Sequence, residues 1–140
     1  MIVLDTNVIS VMMEQRDEPA VVRWLDRQQL DDLCTTAVNV HELWYGIEKM
    51  ARGRRRTNLS KGLNDTLSIL ANRILPLDAA STVVSGRLQA ERESIGRSME
   101  LGDCLIAGIA MHFGARIATR NVRHFSGLPV AVIDPWAAGV

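Results

Sequence analysis

Short apolar segments alternate with longer segments of helical periodicity along this chain, and this alternation constrains the fold more than any other feature. The first apolar segment, Ile2–Leu4, contains no polar residue. A short run of this kind is typical of a strand buried on both faces of a parallel sheet. Further strands are predicted over residues 33–38, 74–77, 116–119 and 129–133. Strands that alternate with helices indicate an α/β fold in which helices cover a mainly parallel sheet.

The segments between the predicted strands carry helical signals. Leu43, Trp44, Ile47 and Met50 recur at the spacing of one helix face. Gly114 follows a long apolar segment, where it suits the C-terminal end of a helix. Helices are predicted over residues 8–13, 20–30, 40–50, 59–72, 79–94 and 101–113.

Length and composition indicate an ordinary globular chain. Its 140 residues can build a core of their own, so we expect a single domain over residues 1–140. The 16 basic and 16 acidic residues give zero net charge, which neither favours nor excludes a nucleic acid partner. Cys34 and Cys104 lie in apolar stretches, which favours buried free thiols over a disulfide. The sequence contains no signal peptide and no apolar segment of the roughly 20 residues that a membrane span needs, so we expect a cytoplasmic protein.

Four polar residues are predicted to lie at one edge of the sheet. Asp5 directly follows the first strand, Asn121 follows the strand over residues 116–119, and Glu42 falls in the first turn of the helix after the second strand. Asp103 is a single acid within an apolar helical stretch, where a carboxylate is costly to bury without a partner or a metal. Ligands of open α/β sheets bind beyond the carboxyl ends of the strands. These four residues therefore form a candidate binding site.

Each of these residues also has a purely structural explanation. Asp5 can cap the helix that follows it, and residues 39–42 resemble a capping box with asparagine in place of serine. Asp103 can share a solvent-facing stripe with Glu100, and Asn121 can cap a short turn. Each explanation accounts for one residue, whereas a shared site accounts for the arrival of all four at one edge.

Carboxylates that point into one pocket repel one another. The cost is about 1 kcal/mol per pair at 4 Å in water and ~4 kcal/mol at an effective dielectric constant of 20. A divalent cation removes this cost, and a set of oxygen ligands favours Mg²⁺ or Mn²⁺ over zinc. Such an ion can activate water and stabilise displacement at phosphorus. The residues thus predict a metal-dependent phosphodiesterase.

Four motifs occur in order along the chain: IVLDTNVIS, TTAVNVHELWYGIEK, MELGDCLIAGIA and ARIATRNVRHFSGLPVAVIDPW. Together they resemble the motifs of PIN-domain ribonucleases, in particular the VapC and FitB type toxins of bacterial toxin–antitoxin systems. The resemblance extends over essentially the whole chain. It implies a PIN-like three-layer α/β/α sandwich and cleavage of RNA. It also implies a small DNA-binding antitoxin as partner, a homodimer, and a higher toxin–antitoxin complex.

The resemblance also implies roles for the four polar residues. By motif, Asp5, Glu42 and Asp103 match the three acids that bind Mg²⁺ or Mn²⁺ and act in catalysis. The fourth catalytic position of the family is often aspartate and is Asn121 here. Because asparagine offers only a neutral oxygen, a second metal ion would be held more weakly, or not at all without RNA. The threonine commonly found three residues before the second acid is replaced by Asn39, which can also cap a helix.

Two further groups of side chains have open explanations. The arginines at positions 52, 54, 55 and 56 are predicted to lie in the loop of a helical hairpin, where they either stay solvated or bind RNA phosphates or acidic antitoxin side chains. A set of large side chains on the early helices either packs in the core or lines a groove for the antitoxin. This set comprises Met13, Trp24, Trp44 and Tyr45.

Two other phosphotransfer families place an aspartate after the first strand. Haloacid-dehalogenase-like proteins need a second acid two residues later, where this chain has Asn7. Response-regulator receivers need adjacent acids after the first strand and a lysine after a late strand, and the sequence has neither. We therefore expect a metal-dependent endoribonuclease. The alternative is a metal-binding module that binds RNA or a partner with weak or no catalysis, since asparagine replaces the fourth acid.

Overall fold

The computed structural model describes residues 1–137, which form five strands and six α-helices. The strands are β1 (Ile2–Leu4), β2 (Leu33–Thr36), β3 (Ile74–Leu75), β4 (Arg116–Ala118) and β5 (Val132–Ile133). The helices are α1 (Thr6–Glu14), α2 (Pro19–Asp26), α3 (Ala37–Glu48), α4 (Arg54–Ile69), α5 (Ala79–Ser94) and α6 (Leu101–Phe113). Short 3-10 turns cover Leu30–Asp32 and Val122–Phe125.

The five strands pair in the order β3-β2-β1-β4-β5, and every pairing is parallel. β1 is the central strand, and Val3 is in register with Cys34 on one side and Ile117 on the other. The chain order reverses at β1, because β2 and β3 lie on one side of it and β4 and β5 on the other. Open α/β sheets bind their ligands at such a reversal, beyond the carboxyl ends of the strands. The residue directly after β1 is Asp5.

Both faces of the sheet are buried, each against its own set of helices. In β1, Ile2 and Leu4 point into a core formed with α1, α2, α3 and α4, whereas Val3 points into a second core formed mainly with α5 and α6. Successive side chains of a strand point to opposite faces, so the unbroken apolar run is explained by burial on both sides. The predicted three-layer α/β/α sandwich is confirmed.

Most element boundaries agree with the sequence pattern, and one difference affects a candidate functional group. The predicted limits of α5 and α6 match the structure. The predicted loop over residues 52–56 is wrong for its last three arginines, because α4 begins at Arg54. Arg56 forms an ion pair with Glu48 of α3, which ties the two arms of the helical hairpin together. Arginine has a high helix propensity, and this outweighs the repulsion among the clustered arginine charges.

The large side chains of the early helices divide between core and surface. Met13 and Trp24 are core residues, while Trp44 is partly buried against the same core. Tyr45 is 58% exposed, with the ammonium group of Lys49 4.8 Å from its ring centre. Core packing therefore explains most of this set.

Several smaller predictions can also be compared with the structure. Cys34 and Cys104 are buried free thiols, and burial raises the pKa of Cys34 to about 11. None of the helices in residues 1–137 is long and apolar enough to cross a membrane. The single domain over residues 1–140 stays a prediction, and residues 138–140 lie outside the described part of the chain.

Glycine permits a close crossing between α5 and α6. A Cβ atom added to Gly108 would lie 2.5 Å from Cβ and 2.8 Å from Cα of Ser85. Because one contact is to backbone, a side chain at position 108 would push the two helices apart. Gly86, on the same pair of helices, has no atom within 4 Å of an added Cβ.

This difference between the two glycines gives a matched pair of variants. We expect Gly108→Ala to lower the free energy of unfolding by about 1–3 kcal/mol through overpacking. Gly86→Ala should raise it by about 0.5–1 kcal/mol, because alanine is the better helix former. Urea unfolding followed by circular dichroism measures both. Equal effects of the two variants would contradict the close crossing.

Candidate active site

Asp5 is the most firmly held of the predicted site residues. It is 6% exposed and forms the N-cap of α1, where its Oδ1 accepts a hydrogen bond from the Thr6 backbone N–H at 2.9 Å. The same oxygen accepts from Asn39 Nδ2 at 2.9 Å, and Oδ2 accepts from Thr119 Oγ1 at 2.7 Å. Hydrogen bonds of this kind compensate the cost of burying an ionised carboxylate. Asp5 therefore serves as a helix cap and as a fixed point of the site.

Asn39 positions Asp5 and does not cap α3. The cap of α3 is Thr36, whose Oγ1 accepts from the Asn39 backbone N–H at 3.1 Å, so the predicted capping box is wrong. Asn39 lies inside the first turn and is fully buried. Its Oδ1 accepts from Thr36 Oγ1 at 2.7 Å, which leaves its Nδ2 to donate to Asp5. The cap thus sets the orientation of the asparagine amide.

Thr119 plays the corresponding part on the other side of Asp5. It follows β4 directly and is fully buried. While its hydroxyl donates to Asp5, its oxygen accepts from the Asn121 backbone N–H at 3.0 Å and from Asn7 Nδ2 at 3.3 Å. The Asn7 Oδ1 in turn accepts from the Arg120 N–H at 3.2 Å. These bonds fix the chain after β4 against the start of α1.

Glu42 reaches the same edge of the sheet from the second turn of α3, and not from the first turn as predicted, because α3 begins at Ala37. Its Oε2 accepts a hydrogen bond from Thr6 Oγ1 at 2.9 Å. Its Oε1 lies against the start of α6, only 2.6 Å from the position that a Cβ atom on Gly102 would occupy. A side chain at position 102 would therefore displace this carboxylate. Glycine directly before Asp103 allows the carboxylate of Glu42 to approach the first turn of α6.

Asp103 lies in that first turn, and it is not part of a solvent-facing stripe. Its side chain is 20% exposed, and its Oδ2 lies 3.0 Å from Nδ1 of His124. His124 stands on the 3-10 turn that follows β4. Within residues 1–137 this is the only ion-pair contact to any of the three acids, and its partner is a histidine.

The three acids influence one another electrostatically. Burial raises the pKa of Glu42, and the charges of Asp5 and Asp103 raise it further, against a hydrogen bond from Thr6 that lowers it. Burial likewise raises the pKa of Asp103, with the charges of Asp5 and Glu100 adding to the effect and His124 opposing it. Three carboxylates that have no arginine or lysine partner within residues 1–137 thus share a partly buried edge. Raised carboxyl pKa values are a frequent feature of functional sites.

The fourth predicted residue, Asn121, joins this group through its backbone. It lies beyond the end of β4, as predicted, and its N–H donates to Thr119. Its side chain is exposed and lines a surface cavity of about 380 Å³ together with Arg120, Arg123 and Asp134.

The sequence patterns did not reveal the hydrogen-bonding residues of the site. The signal was present as small polar residues at strand ends and in the first turns of the helices that follow, and these residues are Thr6, Thr36, Asn39 and Thr119.

The donor set fits a hard divalent cation in its chemistry. It consists of carboxylate oxygens, which Mg²⁺ and Mn²⁺ prefer, and a cation would offset the repulsion that raises the two pKa values. In the part of the chain that the structure describes, no three Asp, Glu, His or Cys side chains form a closed metal-ligand group. Glu42 is instead turned toward Thr6, and Asp103 toward His124. Metal binding would need side-chain movements of these two acids.

The geometry can be compared with known proteins. The sequence profile of the PIN domain matches residues 2–129. The chain belongs to the PIN-domain family. It is 36% identical over 137 residues to a VapC ribonuclease of Sinorhizobium fredii, covering 97% of this chain and 98% of the relative. It is 33% identical over 137 residues to the toxin FitB of Neisseria gonorrhoeae, covering 97% of this chain and 99% of the relative.

A solved structure supports the same assignment. The crystal structure of FitAcB from Neisseria gonorrhoeae contains a chain that superposes with a TM-score of 0.88 at 33% identity, covering 97% of this chain and 99% of that one. The PIN-domain resemblance is therefore confirmed over nearly the full length. Use of a divalent metal is a general property of PIN-domain nucleases.

The raised pKa values predict how the stability of the metal-free protein depends on pH. A raised carboxyl pKa means that the folded chain holds a proton more tightly than the unfolded chain, so the stabilisation is present below the ordinary pKa of 4.5 and is lost as pH rises through the raised value. We expect the free energy of unfolding of Glu42→Gln to fall less than that of wild type as the pH rises from acidic to neutral. Urea unfolding in EDTA over a pH series, wild type against variant, measures the difference. A difference that does not grow between acidic and neutral pH would contradict the prediction.

The bond from Asn39 predicts an effect on metal binding. We expect Asn39→Ala to weaken Mn²⁺ binding by about 10–100-fold, because outer-shell partners of metal ligands commonly have effects of that size. Titration calorimetry measures the affinity, with circular dichroism as a check on folding. Asn64→Ala, at an exposed position of α4, is the matched control. Wild-type affinity in the folded Asn39→Ala variant would show that this bond does not position Asp5 for a metal.

Proposed function

We propose that this chain is an Mg²⁺- or Mn²⁺-dependent endoribonuclease that acts as the toxin of a toxin–antitoxin pair. Cleavage of cellular RNA in the cytoplasm would inhibit translation and growth. The observation that carries the proposal is the convergence of Asp5, Glu42 and Asp103, from three different elements, at the reversal point of a PIN-domain sheet. A VapC ribonuclease and a FitB toxin among the relatives support it.

The three acids would hold the cation, which would supply charge stabilisation at phosphorus and a lowered pKa for bound water. Asp5, with both oxygens hydrogen-bonded, provides the fixed ligand. Asp103 contributes from α6, and Asn121 offers a neutral oxygen near the same edge. Because Asn121 is exposed and uncharged, we propose that it contacts the RNA or its bound water more than it holds a second ion.

Hydrolysis requires a group that accepts a proton from the attacking water. In the reaction a bond forms between the water oxygen and phosphorus, the bond to the leaving oxygen breaks, and the leaving oxygen takes up a proton from solvent. Glu42 is suited to accept the proton of water, because its Oε1 is not used by the Thr6 bond. Asp103 is less suited, since its Oδ2 is engaged by His124.

The partner of the proposed toxin would be a small DNA-binding antitoxin, and the chain would form a homodimer and a larger toxin–antitoxin complex. Support comes from the relative named as a toxin and from basic and apolar residues that lie together on one surface. Met13, Arg16, Arg54, Arg55 and Leu59 line a shallow cavity of about 680 Å³ between α1 and α4. Arg54 and Arg55, at the start of α4, therefore lie on a surface that a peptide with acidic and apolar side chains could cover.

Substitution of single acids tests the nuclease directly. We expect Asp5→Asn and Asp103→Asn each to lower the rate of RNA cleavage in Mn²⁺ by about 100-fold or more, as for loss of a group that stabilises transition-state charge. Gel analysis of cellular RNA incubated with the purified chain measures this. Asp65→Asn removes an exposed acid of α4 by the same chemical change and should cleave like wild type.

Two outcomes of this experiment would contradict the proposal. Full cleavage in excess EDTA, or by both active-site variants, would exclude the metal-dependent mechanism. Tight Mn²⁺ binding without cleavage of any RNA would favour the alternative of a binding module that has lost catalysis.

A further inference from the structure

A cavity of about 430 Å³ opens beside the candidate active site, with Asp103 in its wall. Its lining is dominated by charged side chains and includes three arginines. The charged and ionisable residues around it are Arg92, Arg97, Glu100, Asp103, Arg123 and His124. The cavity therefore continues from the carboxylates into a region of opposite charge.

Backbone geometry brings the first two arginines together at the end of α5. Arg92 lies in the last turn of that helix. Gly96 then adopts a left-handed conformation, with φ of 70°, which turns the chain back. As a result the backbone N–H of Arg97 donates to the carbonyl of Arg92 at 2.8 Å. The third arginine, Arg123, comes from the 3-10 turn after β4.

Arg92 also ties the end of α5 to the chain that follows this turn. Its Nη2 donates to the carbonyl of Ser126 at 3.3 Å. Its Nη1 would lie 3.2 Å from a Cβ atom on Gly127, whose φ of 79° also favours glycine. The walls of the cavity are thus connected by the guanidinium group of Arg92, which is held in place by these contacts.

The positive charge of these arginines is not used within the protein. None of the three forms a salt bridge with another side chain in residues 1–137. Arg92 Nε is buried and has no hydrogen-bond partner among these residues. Two carboxylates, Glu100 and Asp103, face the three guanidinium groups, and Asp103 is already engaged by His124. The charge of the three guanidinium groups therefore remains available for an anion in the cavity.

We propose that Arg92, Arg97 and Arg123 form a phosphate-binding subsite for an RNA phosphate adjacent to the one that lies at Asp5, Glu42 and Asp103. The inference rests on the proposed function. Guanidinium groups bind phosphate through paired N–H donors. Because the cavity shares Asp103 with the candidate active site, the arginines lie where an RNA strand could place a phosphate next to the reacting one. An acidic segment of a protein partner would have no such reason to enter beside the carboxylates.

Removal of two arginines tests the subsite by binding alone. The double variant Arg97→Gln/Arg123→Gln spares Arg92, which connects the cavity walls. The control Arg23→Gln/Arg116→Gln removes equal charge from α2 and from the amino end of β4, the opposite end of that strand from the site. The probe is a fluorescein-labelled single-stranded RNA of mixed sequence in EDTA, which prevents metal-dependent cleavage. Fluorescence anisotropy at several salt concentrations gives the affinity and its salt dependence.

We expect the subsite variant to bind RNA about tenfold more weakly, which corresponds to the loss of one charge-assisted contact. The slope of log affinity against log salt concentration should fall by about 0.7, the value for one phosphate of a single strand. The control should stay close to wild type in both respects, and both variants should melt like wild type.

The subsite would be refuted if the subsite variant bound RNA as tightly as the control variant. It would also be refuted if the subsite variant bound RNA like wild type but bound the antitoxin more weakly. This second result would assign the cavity to an acidic protein segment. Cleavage in Mn²⁺ is measured separately. A wild-type chain that binds RNA through these arginines without cutting it would refute the nuclease and support the subsite.

Discussion

The buried carboxylate of Asp5 is the group on which the arrangement of the site depends. A buried charge is tolerated only when it is hydrogen-bonded, and here the donors come from α1, from Asn39 of α3 and from Thr119 after β4. These elements surround the carboxyl end of β1. The same bonds that stabilise the charge therefore fix the helix starts and the strand end from which the other site residues extend.

The positions of Glu42 and Asp103 lower the stability of the fold. Glu42 in the second turn of α3 approaches the first turn of α6, which holds Asp103, and Gly102 has no Cβ atom that would displace the Glu42 carboxylate. Burial and mutual repulsion raise both pKa values. Acids held in this way destabilise the metal-free protein at neutral pH and gain the most from a divalent cation. In the proposed function, cation binding and phosphodiester chemistry would thus depend on the same electrostatic arrangement.

The sequence predicted the layers of the fold and the positions of the acids better than it predicted the residues that contact these acids. The apolar run Ile2–Leu4 identified the central strand because burial on both faces leaves no polar position. Asp103 stood out because it interrupts an apolar helix. By contrast, Asn39 looked like a helix cap, since sequence spacing does not show that Thr36 occupies this role. The contacts of Thr119 and His124 join residues far apart in the chain, and local patterns carry no information about such pairs. The start of α4 was missed because a run of arginines resembles a solvated loop.

The central claim is that Asp5, Glu42 and Asp103 together bind a divalent cation. Crystals soaked in Mn²⁺ and measured for anomalous scattering test this most directly, because manganese is located independently of the protein density. We predict one strong anomalous peak per chain in contact with oxygens of all three carboxylates, and its disappearance in Asp103→Asn crystals. A peak elsewhere on the chain, or one that persists unchanged in that variant, would contradict the account.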